Sequence, residues 1–172
     1  SRSPIAHRGL HDETAPENSR AAAERSIAAG YPIELDIQFS LEGIPFVFHD
    51  DDLERMTGAK GAFRQTPAAT IRSLTLPDGS AIPEFTDFLE GVAGRVPLLV
   101  EIKTTEGVVS LLPSVYEALD SYSGDFALQS FNPFVVLDAS KKRPDWLRGQ
   151  LSTSAEGVGR SFIKSLLVHR MM

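Results

Sequence analysis

Pro32-Ile33-Glu34-Leu35-Asp36-Ile37-Gln38-Phe39 is the stretch on which the reading of the fold turns. Apolar and acidic residues alternate in it with period two, the signature of a strand. Ile33, Leu35 and Ile37 therefore share one face, suited to packing under helices. Glu34 and Asp36 share the other. Two carboxylates buried on one face cannot both stay ionised without a compensating charge. One resolution is a hard divalent cation, Mg²⁺ or Ca²⁺, which prefers oxygen ligands. The other is a pair of salt bridges, or exposure at a sheet edge.

Outward from this strand the same pattern recurs. Ser3 to His7 reads as a short strand, and a helix is expected from about Glu17 to Ala29, stopped by Gly30. Ile44 to Phe48 reads as a second strand of a hairpin, and Asp50 to Pro83 as irregular, with a short helix near Pro67 to Leu74. Then follow a helix at Phe85 to Ala93, a buried strand at Val96 to Ile102, and an amphipathic helix at Gly107 to Tyr122. A strand at Phe126 to Ser130, a helix at Pro133 to Lys142, a weaker strand at Trp146 to Ser152 and a final helix at Gly159 to His169 complete the pattern. Strand alternating with helix implies a parallel sheet with helices outside it. That arrangement closes into a barrel or stays open as a doubly wound sheet. About five strand-helix units fit in the 172 residues, whereas a full barrel needs roughly 200 or more.

Composition narrows the function. The formal net charge is −6, with 17 Lys and Arg against 23 Asp and Glu. A general nucleic-acid binder would be basic, so that class is set aside. There is no cysteine, which excludes disulfides, zinc thiolates and a Cys nucleophile. No apolar run is long enough to span a membrane, so no stable membrane insertion is expected. Between Arg25 and Arg55 no Lys or Arg occurs, while seven acidic residues do. Asp51, Asp52 and Glu54 among them read as solvated surface.

The chemistry gathers at strand ends. In Val100-Glu101-Ile102-Lys103, Glu101 and Lys103 share a face at the C-terminal end of an apolar run, where parallel-barrel active sites form. Glu101 can complete a three-carboxylate cation site with Glu34 and Asp36, and Lys103 can pair with an anion beside it. His7 and His49 each end a strand and suit a general acid and base. Arg8 is a fork donor for phosphate, and Gly9 allows a tight turn beside a ligand. His11 and His169 read as surface residues, and Thr57 to Gly61 as a mobile loop on the substrate side.

Taken in order, His7-Arg8-Gly9, Pro16-Glu17-Asn18-Ser19, Glu34-Leu35-Asp36, His49-Asp50 and Glu101-Ile102-Lys103 resemble the motifs of the glycerophosphodiester phosphodiesterase family. The likeness continues through Leu53 to Gly58, Ile82 to Phe85 and Leu128 to Phe131, covering roughly residues 4 to 135. It implies a (β/α)₈ TIM-type barrel with a small insertion after the second strand, at about residues 50–83. It also implies one domain over residues 1–172, truncated, with the C-terminal strands missing: the family's Trp-Thr-Val-type strand and final Gly-x-Asp segment are not found. The implied activity is metal-dependent hydrolysis of a small-molecule glycerophosphodiester to glycerol 3-phosphate and an alcohol. His7 and His49 would be the acid/base pair, Glu34, Asp36 and Glu101 the ligands of one cation, Mg²⁺ or Ca²⁺, and Arg8 and Lys103 the phosphate binders. Glu17 and Asn18 would support the site, and Gln129 and Ser130 would contact substrate or its surroundings. The competing readings are a lysophospholipid- or sphingomyelin-type phosphodiesterase and a non-catalytic phosphate-binding domain. A cytoplasmic location is expected, with a periplasmic or secreted one left open, and the oligomeric state is not set by the sequence.

Overall fold

The computed structural model describes residues 4–152. The chain runs β1 (Ala6–His7), α1 (Arg20–Ala28), β2 (Ile33–Phe39), β3 (Pro45–Val47), α2 (Glu54–Thr57), a 3₁₀ turn (Phe63–Gln65), α3 (Ala68–Ser73), α4 (Phe85–Val92), β4 (Leu98–Ile102), α5 (Val108–Asp120), β5 (Phe126–Ser130), α6 (Pro133–Lys142) and β6 (Leu147–Gln150). The helix expected at Gly159 to His169 lies outside the described residues.

One sheet carries the molecule, in the order β1-β2-β4-β5-β6, with every neighbouring pair on that path parallel. β3 stands off the path and pairs antiparallel with β2. Periodicity in β2 does what its sequence demands. Ile33, Leu35 and Ile37 enter a core with Leu98, Val100, Ile102 and Leu128, covered by Phe85, Phe88 and Leu89 of α4 and Leu112, Val115 and Leu119 of α5. Each fully buried side chain of this size contributes about 1.5–3 kcal/mol of burial free energy. That core fixes β2 and β4 in register, so the acidic face is held by packing on the opposite side. Asp36 aligns with Glu101, Glu101 with Gln129, and His7 with Glu34.

The segment read as irregular has a core of its own. Phe46, Phe48, Leu53, Met56, Phe63, Ile71, Leu76 and Ile82 bury together. Phe63 stacks on Phe48 at 4.7 Å between ring centroids and meets Phe46 edge-on at 6.0 Å. This cluster anchors both sides of the turn that carries His49 and Asp50.

The helix expected from Glu17 begins instead at Arg20. Ser19 caps it, accepting from the Ala22 N–H, while Asn18 takes a positive φ of 58°. Before it, Gly9 sits at φ +83°, and a Cβ there would lie 2.8 Å from Cβ of Ala22. The turn after β1 thus presses directly on α1. Replacing Gly9 with alanine should cost about 1–3 kcal/mol through strain and overlap. Chemical denaturation measures this directly, and a variant as stable as the parent would contradict the packing described.

Candidate active site

Three buried carboxylates meet on the inner face of β2 and β4. Glu34, Asp36 and Glu101 are 3%, 1% and 7% exposed, and each offers an oxygen within 4.8 Å of the others'. Their local partners are few for so much charge. Glu34 accepts the backbone N–H of Arg8 at 3.1 Å, and His7 Nε2 stands 3.9 Å from it. Asp36 accepts from Asn18 Nδ2 at 3.0 Å, and its own N–H donates to Asn18 Oδ1 at 3.3 Å. Lys103 Nζ lies 3.0 Å from Glu101 and 3.5 Å from Asp36.

Charge is therefore not balanced. Burial, and then the neighbouring Asp36 charge, pushes the Glu34 carboxyl up to about 8. Burial also raises Glu101, against the pull of Lys103. Such a donor set suits a hard divalent cation, which would replace protons with a stronger positive charge. Beside it, the buried side-chain oxygen Oε1 of Gln129 has no hydrogen-bond partner. The three carboxylates and this orphaned acceptor fit the chemistry of a cation site.

A raised carboxyl favours the folded state while it is protonated. In cation-free protein the Glu34 contribution is therefore full below pH 4.5 and is lost as the pH rises through about 8. Thermal denaturation without cation should show Tm falling across that window. Added divalent cation should raise Tm most at its alkaline end, because binding displaces the proton. A cation-free Tm that is flat across the window would contradict this.

Histidines stand on either side. Burial, with the Arg8 charge next, lowers the pKa of His7 and so favours its neutral form. His49 Nδ1 meets Asp50 Oδ1 at 2.7 Å. With the carboxylate accepting, Nδ1 carries a proton, and Nε2 is the nitrogen left to exchange a proton with substrate. His49 also lies at metal-ligand spacing from Glu17, which holds the Arg8 that reaches Asp36. Gln38 holds the backbone of this turn, donating to the Asp50 carbonyl at 3.1 Å and to Asp51 Oδ1 at 3.0 Å.

Arg8, at the unusual φ of 57°, donates from Nη1 to Glu17 Oε1 at 2.9 Å. Its Nε lies 3.3 Å from Asp36 Oδ2 without the alignment of a hydrogen bond, so that buried N–H is unpaired. Glu17 and Asp50 are both gripped by Arg55, which the sequence reading passed over. Burial raises both carboxyls, but the hydrogen bonds and charges of Arg55 with Arg8 (Glu17), or with His49 (Asp50), outweigh it and hold them low. Glu17, His49 and Asp50 also cluster at metal-ligand spacing, but there Arg55 already supplies the positive charge. Strand alternation separates the last two candidates. Gln129 shares the face of Glu101, whereas Ser130 falls on the other face and its hydroxyl donates to the Ile102 carbonyl at 2.7 Å. Ser130 is not brought to the carboxylates. A groove of about 620 Å³ between α4 and α5, lined by Glu84, Leu89, Ser114 and Tyr122, contains none of these residues.

The model of the glycerophosphoryl diester phosphodiesterase family matches residues 7–156. A glycerophosphodiester phosphodiesterase of Caldanaerobacter subterraneus subsp. tengcongensis is 30% identical over 154 residues, covering 81% of this chain and 62% of that protein. Glycerophosphodiester phosphodiesterase 1 of Mus musculus is 39% identical over 105 residues, 59% of this chain and 29% of its own length. An Oleispira antarctica phosphodiesterase, solved in complex with the product sn-glycerol-3-phosphate, superposes with a TM-score of 0.80 at 29% identity, covering 87% of this chain and 65% of that one. The chain thus spans less than two thirds of the length of these relatives. Its parallel strands and helices are those of a (β/α)₈-barrel-type fold.

Proposed function

The chain belongs to the glycerophosphoryl diester phosphodiesterase family, and from that premise we propose that it hydrolyses glycerophosphodiesters to glycerol 3-phosphate and an alcohol. Glu34, Asp36 and Glu101 would hold one divalent cation, Mg²⁺ or Ca²⁺. Bound there, it would neutralise charge on the phosphate oxygens and acidify a hydroxyl beside it. The observation that carries this reading is the set of three buried carboxylates, with ligand oxygens within 4.8 Å, at the end of the sheet that also bears His7 and His49.

The residues then divide the work. Arg8 and Lys103 face the anionic phosphoryl group, where charge grows as a nucleophile attacks. Both now lean on carboxylates, Arg8 on Glu17 and Asp36 and Lys103 on Glu101 and Asp36. His7, held neutral, takes the proton from the substrate's own glycerol hydroxyl as it attacks phosphorus. His49, its other nitrogen fixed by Asp50, gives a proton to the departing alkoxide. The cyclic phosphate so formed is opened by water with the two histidines exchanging roles. Asn18 holds Asp36 in place, and Glu17 holds Arg8.

Release of glycerol 3-phosphate and choline from glycerophosphocholine tests the reading. We expect turnover with Mg²⁺ or Ca²⁺ and none after EDTA treatment. Turnover that survives EDTA would overturn it.

A further inference from the structure

We propose that Arg55 is a positioning residue of this centre, holding Asp50 and Glu17 together so that the His49 ring and the Arg8 guanidinium are fixed relative to each other. The inference rests on the functional reading above.

Arg55 makes four hydrogen bonds with one planar group. Nε donates to Asp50 Oδ2 at 2.5 Å, and Nη2 to Asp50 Oδ1 at 2.9 Å. Nη1 donates to Glu17 Oε2 at 3.1 Å, and Nη2 also to Glu17 Oε1 at 2.6 Å. The same oxygens go on to the reactive groups. Asp50 Oδ1 contacts His49 Nδ1 at 2.7 Å, and Glu17 Oε1 receives Arg8 Nη1 at 2.9 Å. A continuous chain, His49-Asp50-Arg55-Glu17-Arg8, thus joins a turn after β3 to a loop after β1, whose residues lie 38 positions apart.

Magnitudes argue against a purely structural role. The Arg55 side chain is 49% exposed, and ion pairs at such exposure are worth about 0–1 kcal/mol. The backbone at His49 and Asp50 has its own supports in Gln38 and the Phe48–Phe63 stack. Next to Arg55, Met56 is buried in the second core and roots the short helix. Arg55 is therefore not needed to form the turn, but among the described residues no other side chain hydrogen-bonds to both Asp50 and Glu17. A lysine has one ammonium centre and cannot grip two forks at once.

The test is steady-state cleavage of glycerophosphocholine by the full chain and by Arg55→Ala, Arg55→Lys and Asp50→Asn. Nitrogen-15 shifts of the His49 ring are recorded alongside. Loss of an outer partner that orients a reactive ring costs about 10–100-fold, and that fall in kcat is expected for Arg55→Ala. Arg55→Lys should not restore it, whereas added guanidinium ion should restore part of the loss in Arg55→Ala and ammonium should not. The kcat losses of Arg55→Ala and Asp50→Asn should be strongly non-additive. The ring spectrum should change from the Nδ1-protonated tautomer to a mixture while Tm stays near that of the parent. Unchanged kcat and ring shifts in Arg55→Ala, or additive losses, would overturn the proposal. If the parent itself shows no cation-dependent cleavage, the functional reading fails, and the ring shifts still decide whether Arg55 holds His49.

Discussion

Replacing His49 with glutamine should lower kcat for glycerophosphodiester cleavage by about 10²–10⁴-fold, the usual worth of a positioned acid/base group. Glutamine keeps a side chain of similar reach but cannot carry a proton between two oxygens. Its effect should fall on kcat and leave cation affinity unchanged, because His49 contributes no oxygen to the three-carboxylate set. Loss of the ring also strands Asp50, which would still be held by Arg55 at two oxygens, so the turn should keep its place. Steady-state kinetics together with calorimetric cation titration separate the two quantities. A variant that loses cation binding along with turnover would contradict the assignment.

Changing Asp36 to asparagine should abolish cation binding, a loss beyond the roughly 10–100-fold that outer partners of a metal site cost. Asp36 is 1% exposed and is the meeting point of Asn18, Arg8 and Lys103. Removing one partner of a buried ion pair often costs about 3–5 kcal/mol. Here the cation-free protein should lose far less. Lys103 retains Glu101, Arg8 retains Glu17, and the repulsion that raises Glu34 is relieved. Thermal denaturation with and without cation would therefore show a variant of near-parental stability that no longer responds to Mg²⁺ or Ca²⁺. A cation response equal to the parent's would remove Asp36 from the ligand set.

Much of this was legible in the chain because it is local. Period-two alternation placed Glu34 and Asp36 on one face, and the bounds of β5 and α6 follow from flanking Asp125, Asn132 and Pro133. The start of α1 lies three residues beyond the expected one, after Ser19, a favoured N-cap residue that the local sequence does contain. Asn18 adopts a positive φ to bond Asp36, a contact 18 residues away that no window of sequence contains. A longer separation, 38 residues, hides Arg55, whose neighbours Glu54 and Met56 give no sign that it reaches Glu17. Between Asp50 and Pro83 the apolar residues follow neither helical nor strand spacing, since they converge on Phe63 from short, separate turns. The resemblance pairs Ser130 with Gln129, although strand alternation sends the two to opposite faces.

Anomalous scattering from crystals soaked in Mn²⁺ locates the ion. One peak is expected among Glu34, Asp36 and Glu101, with Arg55 still seated between Glu17 and Asp50. A peak at Glu17, His49 and Asp50, or no peak in a protein whose turnover requires the ion, would contradict that placement.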